Sequence, residues 1–239
     1  MKIDFTDKVV VIAGGTGGLG NAVSRAFLEQ DAKVVVSYRK EEGFAALKQA
    51  AGAKASALEG FEVDVTDEGA TSEFVGSILS RHGRVDAVVN TIGGYAGGVA
   101  LWELETKVFD GMLSLNLRSG YSLARAVVPT MLKQKHGAIV NVAAKAAFDH
   151  GAGASAYAAS KAAAVALIDS LAADLKGTGV RVNSILPSII DTAANRRAMP
   201  NADFAAWPKP EEIAQVVLFL CSDSAAAVHG VALPVYGNS

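Results

Sequence analysis

Residues 9–20 read VVVIAGGTGGLG, an apolar run followed directly by closely spaced glycines. The run 9–13 is typical of a strand that is buried on both faces, and a helical pattern begins at Leu19. Glycine allows positive φ and brings backbone N–H groups close to a phosphate, while a helix N-terminus adds partial positive charge. The stretch therefore predicts a buried strand, a pyrophosphate-binding loop and a helix. A tight turn without a ligand is the alternative interpretation.

Short apolar runs alternate with longer helical patterns along the rest of the chain. Strands are predicted over residues 8–13, 33–38, 57–65, 85–90, 138–142, 180–186 and 228–235. Helices are predicted over residues 19–30, 41–51, 67–82, 101–135, 154–176 and 211–221. This alternation implies right-handed crossovers, and it favours a single α/β domain over residues 1–239 with a doubly wound parallel sheet. The long segment 187–210 contains several prolines, and we predict there either a functional lid or a disordered loop.

Composition excludes several classes of protein. The chain has 239 residues, 51% of them hydrophobic, and a net charge of −2, which gives no support for a nucleic-acid partner. Lys161, Asp169 and Asp174 interrupt the alanine-rich stretch, so no uncharged run reaches the length of a membrane span. The single cysteine, Cys221, cannot form an internal disulfide, and the four histidines lack metal-ligand spacing. Residues 1–8 lack a signal-peptide core. We therefore expect a cytoplasmic globular protein with no metal site and no nucleic-acid or membrane partner.

The glycine spacing resembles that of the short-chain dehydrogenase/reductase family, although Ala13 stands where that family has threonine. Further matches follow later predicted strands, and these are Asp64-Val65, the residues NTIG at 90–93 and the residues PSIIDT at 187–192. The resemblance covers essentially the whole chain and implies a Rossmann-type fold that binds NAD(P). It implies that the cofactor is bound by Gly14, Thr16, Gly17, Gly18, Leu19, Gly20, Asp64, Val65, Asn90, Gly93, Lys161, Pro187, Ile189 and Thr192. It also implies a homodimer or homotetramer formed through the helices predicted over 101–135 and 154–176.

The end of the second predicted strand indicates which dinucleotide is used. A carboxylate at this position binds the ribose 2′-hydroxyl of NAD, whereas a cation accepts the 2′-phosphate of NADP. Here residues 37–40 read SYRK and contain no acid. We therefore predict NADPH as the preferred cofactor, with NADH as the alternative, and Arg39 as the 2′-phosphate partner assisted by Ser37 or Lys40. The alternative is that Arg39 and Lys40 are only a solvated pair in a loop.

Tyr157 and Lys161 are four residues apart in a predicted helix and therefore lie on one face of it. A nearby ammonium favours a phenolate, so we expect Lys161 to lower the pKa of Tyr157 below about 10. The family resemblance implies that Tyr157 is the acid/base and that Lys161 also binds the nicotinamide ribose. It implies too that Asn116, inside the helix predicted over 101–135, bends this helix and holds a water in a proton relay. The alternatives are a surface Tyr and Lys and a solvent-facing Asn.

One family residue is missing from this sequence. The catalytic serine of the family lies 13 residues before the tyrosine, and here this position is Ala144. Loss of such a donor typically costs about 2.7–4 kcal/mol of transition-state stabilisation. Ser155 is a poor substitute, because residues two apart on a helix face different directions. The sequence therefore predicts either weak catalysis on ordinary ketones or a substrate that does not need this hydrogen bond.

A narrower resemblance, to the dihydropteridine reductases of the same superfamily, lies in residues 93–98, 144–147 and 186–207. Those enzymes also lack the serine, but they carry an acid where this chain has Arg39, and they lack the helix asparagine. The resemblance implies hydride transfer to a flat conjugated substrate such as a quinonoid dihydropterin, with Tyr95, Ala144 and Trp207 in the substrate site. Packing alone is the alternative for Tyr95 and Trp207. Two other functions stay open, namely a general carbonyl or 3-oxoacyl reductase and a non-catalytic dinucleotide-binding sensor.

Overall fold

The computed structural model describes residues 3–239, and within this range seven strands form one parallel sheet in the order β3-β2-β1-β4-β5-β6-β7. The strands are β1 Val9–Ala13, β2 Lys33–Tyr38, β3 Leu58–Glu62, β4 Ala87–Asn90, β5 Gly137–Val142, β6 Val180–Pro187 and β7 Ala232–Val235. The helices are α1 Gly18–Glu29, α2 Glu41–Ala51, α3 Glu68–His82, α4 Thr106–Leu113, α5 Ser119–Gln134, α6 Ser155–Asp174, α7 Ala193–Ala198 and α8 Pro210–Cys221. The predicted doubly wound parallel α/β sheet is confirmed.

Helices cover both faces of the sheet, which explains why its central strands are continuously apolar. Val10 and Ile12 pack into one buried cluster with Phe27 of α1. Val9 and Val11 face the other way and pack with residues of α3 and α5. A fully buried valine or isoleucine side chain contributes about 1.5–3 kcal/mol, so a polar residue anywhere along β1 would destabilise the fold.

The helix predicted over 101–135 is wrong as a single element. Residues 104 and 105 are extended, so the chain forms a short 3₁₀ turn at Leu101–Glu103 and begins α4 only at Thr106. A π-helical segment, Ser114–Arg118, then separates α4 from α5. Such segments often occur at functional sites, and this one contains Asn116. The spacing of apolar residues could not reveal this π-helical segment, because the one extra residue that a π-helical turn contains hardly changes that spacing.

Other boundaries differ by a few residues. β2 and α2 occupy the predicted ranges, whereas β3, β4 and β7 are shorter than predicted. The segment 187–210, predicted as a loop, contains α7 and a 3₁₀ turn at Phe204–Ala206.

The strand order places a crevice at the carboxyl ends of β1 and β4. β1 pairs with both β2 and β4, and the chain runs outward across the sheet in opposite directions from these two positions. Ligands of open α/β sheets bind outside the strand ends at such a point. The glycine loop after β1 and the loop after β4 therefore flank the candidate site.

Candidate active site

The glycine loop between β1 and α1 folds tightly on itself. Gly14 has a φ of +75°, a conformation that L side chains rarely adopt. A Cβ at Gly20 would lie 2.1 Å from the carbonyl oxygen of Gly14, so the close approach of α1 to the loop requires glycine. The N–H of Gly14 donates to Oγ of Ser37 at 3.0 Å, and this bond ties the loop to β2. Ser37, predicted to assist phosphate binding, therefore also holds the loop in place.

A cleft of about 690 Å³ lies over this loop. Seven of the predicted cofactor residues line it, namely Gly14, Thr16, Gly17, Ser37, Arg39, Asp64 and Gly93. Sequence reasoning missed other lining residues, namely Tyr38, Glu42, Gly43, Val63, Thr91, Ile92 and Leu115. Most of these adjoin predicted residues in the chain, so motif matching had no separate signal for them.

The residues at the cleft fit the phosphates of a dinucleotide. The N-terminus of α1 has no side-chain cap and no acid in its first turn, so its N–H groups and its partial positive charge face the glycine loop unopposed. Residues 14, 15, 17 and 18 are glycines, which leave the backbone open to a close ligand. The cleft volume lies in the range of ordinary ligand sites.

Two cations, Arg39 and Lys40, lie at one rim of the cleft. Both are exposed, and within residues 3–239 the Arg39 guanidinium has no hydrogen bond and no ion pair. The preceding residue, Tyr38, donates to the Glu41 carboxylate at 2.5 Å and stacks on Phe44 at 5.0 Å between ring centroids. The hydrogen bond to Glu41 raises the pKa of Tyr38 to about 12. Glu41 is therefore engaged by Tyr38, while Arg39 is free to accept an anion.

Several predicted cofactor residues shape the cleft from behind instead of lining it. Leu19 is buried in the apolar cluster on one face of the sheet, and Val65 is buried in the cluster on the other face. Asn90, at the end of β4, is buried and donates to Oδ1 of Asn141 at 2.9 Å and to Oγ of Ser119 at 3.2 Å. These bonds join β4, β5 and α5 directly below the loop that carries Gly93.

The segment after β6 packs on the glycine loop. Oγ1 of Thr192 accepts a hydrogen bond from the N–H of Asn195 at 3.2 Å and caps α7. A Cβ at Gly18 would lie 2.9 Å from Cγ2 of Thr192, so these two predicted cofactor residues are in contact. Pro187 ends β6, and Ile189 is exposed beyond it.

Lys161 of α6 reaches the end of the cleft. Its ammonium is buried, with 4% of the residue exposed, and donates to the carbonyl oxygen of Val142 at 3.0 Å. A Cβ at Gly93 would lie 2.9 Å from Nζ of Lys161 and 3.1 Å from Oδ1 of Asn116. The structure thus brings together Gly93, Asn116 and Lys161, which lie far apart in the sequence.

The predicted effect of Lys161 on Tyr157 is wrong in this structure. Burial, together with a smaller contribution from the neighbouring phenol of Tyr95, raises the pKa of Tyr157 to about 12. Burial also lowers the pKa of Lys161 to about 8. The loss of solvation on burial, which disfavours both charged forms, outweighs the attraction of the ammonium for a phenolate. The Lys161 ammonium points toward the carbonyl oxygen of Val142 and donates one of its protons to it.

Asn116 is buried, with 2% exposure, which excludes the solvent-facing alternative. Its side chain pairs with the backbone of Gly94, accepting from the N–H at 2.9 Å and donating to the carbonyl at 3.1 Å. It also donates to Oγ of Ser160 at 2.9 Å, and Ser160 donates to the carbonyl oxygen of Tyr157 at 2.8 Å. Asn116 thus links the π-helical segment, the loop after β4 and helix α6, while its role in a water relay stays a prediction.

Ser160 was missed by sequence reasoning. It lies in the alanine-rich helix α6, where a serine looks like another small helix residue, and only its contacts with Asn116 and Tyr157 distinguish it.

The three residues predicted to bind the substrate are Tyr95, which contacts Tyr157, Ala144, which lacks a side-chain hydrogen-bond donor, and Trp207. The rings of Tyr95 and Tyr157 meet edge to face, 5.0 Å apart between centroids. Ala144 is buried and offers no side-chain donor. Trp207 is also buried and packs against Phe204 at 5.0 Å. Tyr95 thus adjoins the predicted acid, whereas the contacts of Trp207 show packing, and its substrate role stays a prediction.

Two further observations bear on other kinds of site. Within residues 3–239, no cluster of three or more His, Cys, Asp or Glu side chains could hold a metal ion. α6 is long and apolar enough to cross a membrane by length and composition alone. In the fold, however, it packs against β6 and α4, as the core helix of a globular domain does.

Comparison with known proteins agrees with this geometry. The family described as short chain dehydrogenase matches residues 8–203. The chain is 30% identical to a 3-oxoacyl-[acyl-carrier-protein] reductase of Thermotoga maritima, with 97% of both chains covered. It is 33% identical to a D-threitol dehydrogenase of Mycolicibacterium smegmatis, with 100% of this chain and 96% of the relative covered. A solved levodione reductase superimposes with a TM-score of 0.90 at 29% identity, over 98% of this chain and 97% of that chain. The chain therefore belongs to the short-chain dehydrogenase family of NAD(P)-dependent oxidoreductases.

Proposed function

We propose that this protein is an NADPH-preferring reductase of flat, conjugated substrates such as a quinonoid dihydropterin. The observation that carries the proposal is the pairing of Tyr157 with a second aromatic ring, Tyr95, in a chain that has no side-chain donor at Ala144. An aromatic wall favours a flat substrate. A substrate whose ring system takes up the added electrons needs less polarisation of its carbonyl group than a simple ketone does.

The chain offers separate groups for each part of the cofactor. The N–H groups of the glycine loop and of the α1 N-terminus would hold the pyrophosphate. Arg39 would pair with the 2′-phosphate, because it lies at the rim without another partner among residues 3–239. Lys161, which approaches Gly93 at the inner end of the cleft, would hold the nicotinamide ribose. When bound, the reduced dinucleotide supplies the hydride.

The protonation states suit reduction. With a pKa of about 12, the Tyr157 hydroxyl keeps its proton at neutral pH and can donate it to the substrate. With a pKa of about 8, Lys161 is mostly charged at pH 7 and can help to replace that proton. The direction that the structure favours is therefore proton donation by Tyr157.

A second candidate function is a general carbonyl or 3-oxoacyl reductase. It is favoured by the name of the Thermotoga maritima relative, which aligns along 97% of both chains. A non-catalytic dinucleotide sensor is less favoured, because the chain keeps Tyr157, Lys161 and Asn116 together in one place.

A steady-state assay tests these proposals. We would measure kcat/KM for a quinonoid dihydropterin, simple ketones and a 3-oxoacyl thioester, with NADPH and NADH in parallel, for the wild type and for Ala144→Ser. We expect the wild type to prefer the dihydropterin, and Ala144→Ser to raise turnover of ketones only. Preference of the wild type for the thioester or the ketones would instead support the second function. Tight NADPH binding without oxidation by any substrate would support the sensor.

We also propose a homodimer or homotetramer. Tyr121 and Leu132 leave large apolar side chains exposed on α5, one of the helices that the family resemblance places at the subunit contact. Analytical ultracentrifugation of the wild type would test this, and a monomer at micromolar concentration would contradict it.

A further inference from the structure

The loop after β4 is fixed at its start by Asn116. The two hydrogen bonds between this side chain and the backbone of Gly94 form a closed pair, at 2.9 and 3.1 Å. A paired amide of this kind holds both the position and the orientation of the peptide. The backbone position from which the side chain of the next residue, Tyr95, extends is therefore fixed.

The far end of the same loop is fixed as well. The N–H of Gly98, which has a φ of +90°, donates to the carbonyl oxygen of Gly153 at 2.9 Å. Gly153, at φ +72°, lies just before α6, so this bond joins the loop after β4 to the helix that carries Tyr157. The loop 93–98 is thus tied to the catalytic helix, and Tyr95 lies between the two ties.

The side chain of Tyr95 has a defined resting place. A Cβ at Gly97 would lie 2.2 Å from the hydroxyl oxygen of Tyr95, so only glycine leaves room for the phenol there. The ring meets Tyr157 edge to face at 5.0 Å. The Tyr95 phenol also contributes to the raised pKa of Tyr157.

The Tyr95 hydroxyl is available as a donor. The residue is 67% exposed, and its hydroxyl has no hydrogen-bond partner within the described residues 3–239. A tyrosine hydroxyl carries one O–H donor. At Ala144, where the family has its serine, no side-chain donor is present.

We propose, on the basis of the function proposed above, that the Tyr95 hydroxyl donates to an oxo group of the substrate the hydrogen bond that Ala144 cannot provide. The site then contains two phenols with different tasks. Tyr157 transfers its proton to the substrate, whereas Tyr95 keeps its proton and only donates a hydrogen bond. No bond to Tyr95 forms or breaks.

Ser155 is the rival donor in this part of the chain. Its Oγ is buried and has no hydrogen-bond partner in the described part of the structure. It precedes Tyr157 by two positions and so faces another direction on α6. Ser155→Ala is therefore the matched control, because it also removes one free hydroxyl near Tyr157.

The test uses Tyr95→Phe, which keeps the ring and removes the hydroxyl. We expect kcat/KM for the dihydropterin to fall about 10- to 100-fold, mostly through kcat, since the lost bond is stronger in the transition state. Adding Ala144→Ser to Tyr95→Phe should restore kcat/KM at least tenfold. Ser155→Ala should leave kcat/KM within twofold. The Kd of NADPH, measured by fluorescence, should stay the same in all variants.

A binding measurement gives a readout that does not require turnover. We expect the Kd of a tetrahydropterin, titrated in the presence of NADP⁺, to rise about fivefold or more in Tyr95→Phe and to recover with Ala144→Ser. An unchanged kcat/KM and Kd in Tyr95→Phe would overturn the inference, and so would a loss that Ala144→Ser does not restore. A wild type that binds NADPH but neither reduces the dihydropterin nor binds its product would overturn the proposed function itself.

Discussion

The Lys161 ammonium donates a hydrogen bond to the carbonyl oxygen of Val142, at 3.0 Å, in a place that solvent hardly reaches. This bond joins helix α6, which also carries Tyr157, to the end of β5. It satisfies one of the three ammonium protons, and it explains how a charged group is kept inside the protein. Burial nevertheless has a cost, which is visible in the pKa of Lys161, lowered to about 8.

The first prediction concerns the pH dependence of stability. The pKa of Lys161 is about 8 in the folded protein and 10.5 in the unfolded chain. Between these values the unfolded chain binds the proton and the folded protein does not, so the Lys161 contribution to the free energy of unfolding rises with pH. The rise amounts to about 3 kcal/mol. Urea denaturation at pH 7.5 to 10.5 should show this rise in the wild type relative to Lys161→Met. If the free energies of unfolding of the two proteins changed in parallel with pH, the prediction would be contradicted.

The second prediction concerns Asn116. Asn116→Ala leaves the N–H and carbonyl of the half-buried Gly94 without their partner, and it removes the donor to Ser160, whose hydroxyl keeps its bond to the carbonyl of Tyr157. A buried polar group left unpaired costs about 1–3 kcal/mol. We expect the free energy of unfolding to fall by about 2–4 kcal/mol. Turnover should fall as well, because Tyr95 and Tyr157 lose their common support. Asn201→Ala, at an exposed asparagine, is the control and should leave both quantities unchanged.

The third prediction concerns cofactor choice. Hydrogen bonds to charged groups contribute about 1.5–3 kcal/mol, so Arg39→Ala should raise the Kd of NADPH roughly 10- to 100-fold. The Kd of NADH should hardly change, because NADH has no 2′-phosphate. Arg197→Ala removes an equally exposed cation from α7 and serves as the control. Equal wild-type affinity for the two dinucleotides would refute the role of Arg39.

The fourth prediction concerns a buried carboxylate, Asp86, at the amino ends of the central strands β1 and β4. Asp86 accepts hydrogen bonds from the N–H of Val9 at 2.8 Å and from the guanidinium of Arg84 at 2.5 and 2.8 Å. Asp86→Ala leaves the buried N–H of Val9 without an acceptor, whereas the exposed guanidinium of Arg84 can bind water instead. We expect the substitution to lower the free energy of unfolding by about 1–3 kcal/mol. Thermal and urea denaturation would measure the loss.

A matched control for Asp86 lies on the surface. Glu68 pairs with Arg125 at 2.6 Å, and both side chains are exposed. Such pairs are screened by solvent and lose side-chain entropy when they form. Glu68→Gln should therefore leave the unfolding transition where it is in the wild type. Equal losses in Asp86→Ala and Glu68→Gln would show that burial does not decide the strength of these pairs.

The sequence predicted most of the fold because the signals for it are local. The apolar run 9–13 and the glycines after it specify a buried strand and a tight loop whatever the rest of the chain does. The spacing of Tyr157 and Lys161 likewise follows from helix geometry alone. The predicted helix 101–135 failed because residues 104–105 are extended and because a π-helical segment, Ser114–Arg118, interrupts the rest. Asn116 of that segment bonds to Gly94 in the loop after β4, which lies far from it in the sequence.

Local patterns were enough to predict the parallel sheet, the glycine loop, the placing of Tyr157 and Lys161 on one helix face and the lack of a serine at position 144. The folded chain was needed to reveal that Asn116 pairs with Gly94, that Tyr95 packs against Tyr157 and that burial raises the pKa of Tyr157 to about 12. These two groups of properties differ in the distance along the chain over which they are set. Strand and helix periods are set by neighbouring residues, whereas solvation and hydrogen-bond partners depend on segments that meet only after the chain has folded.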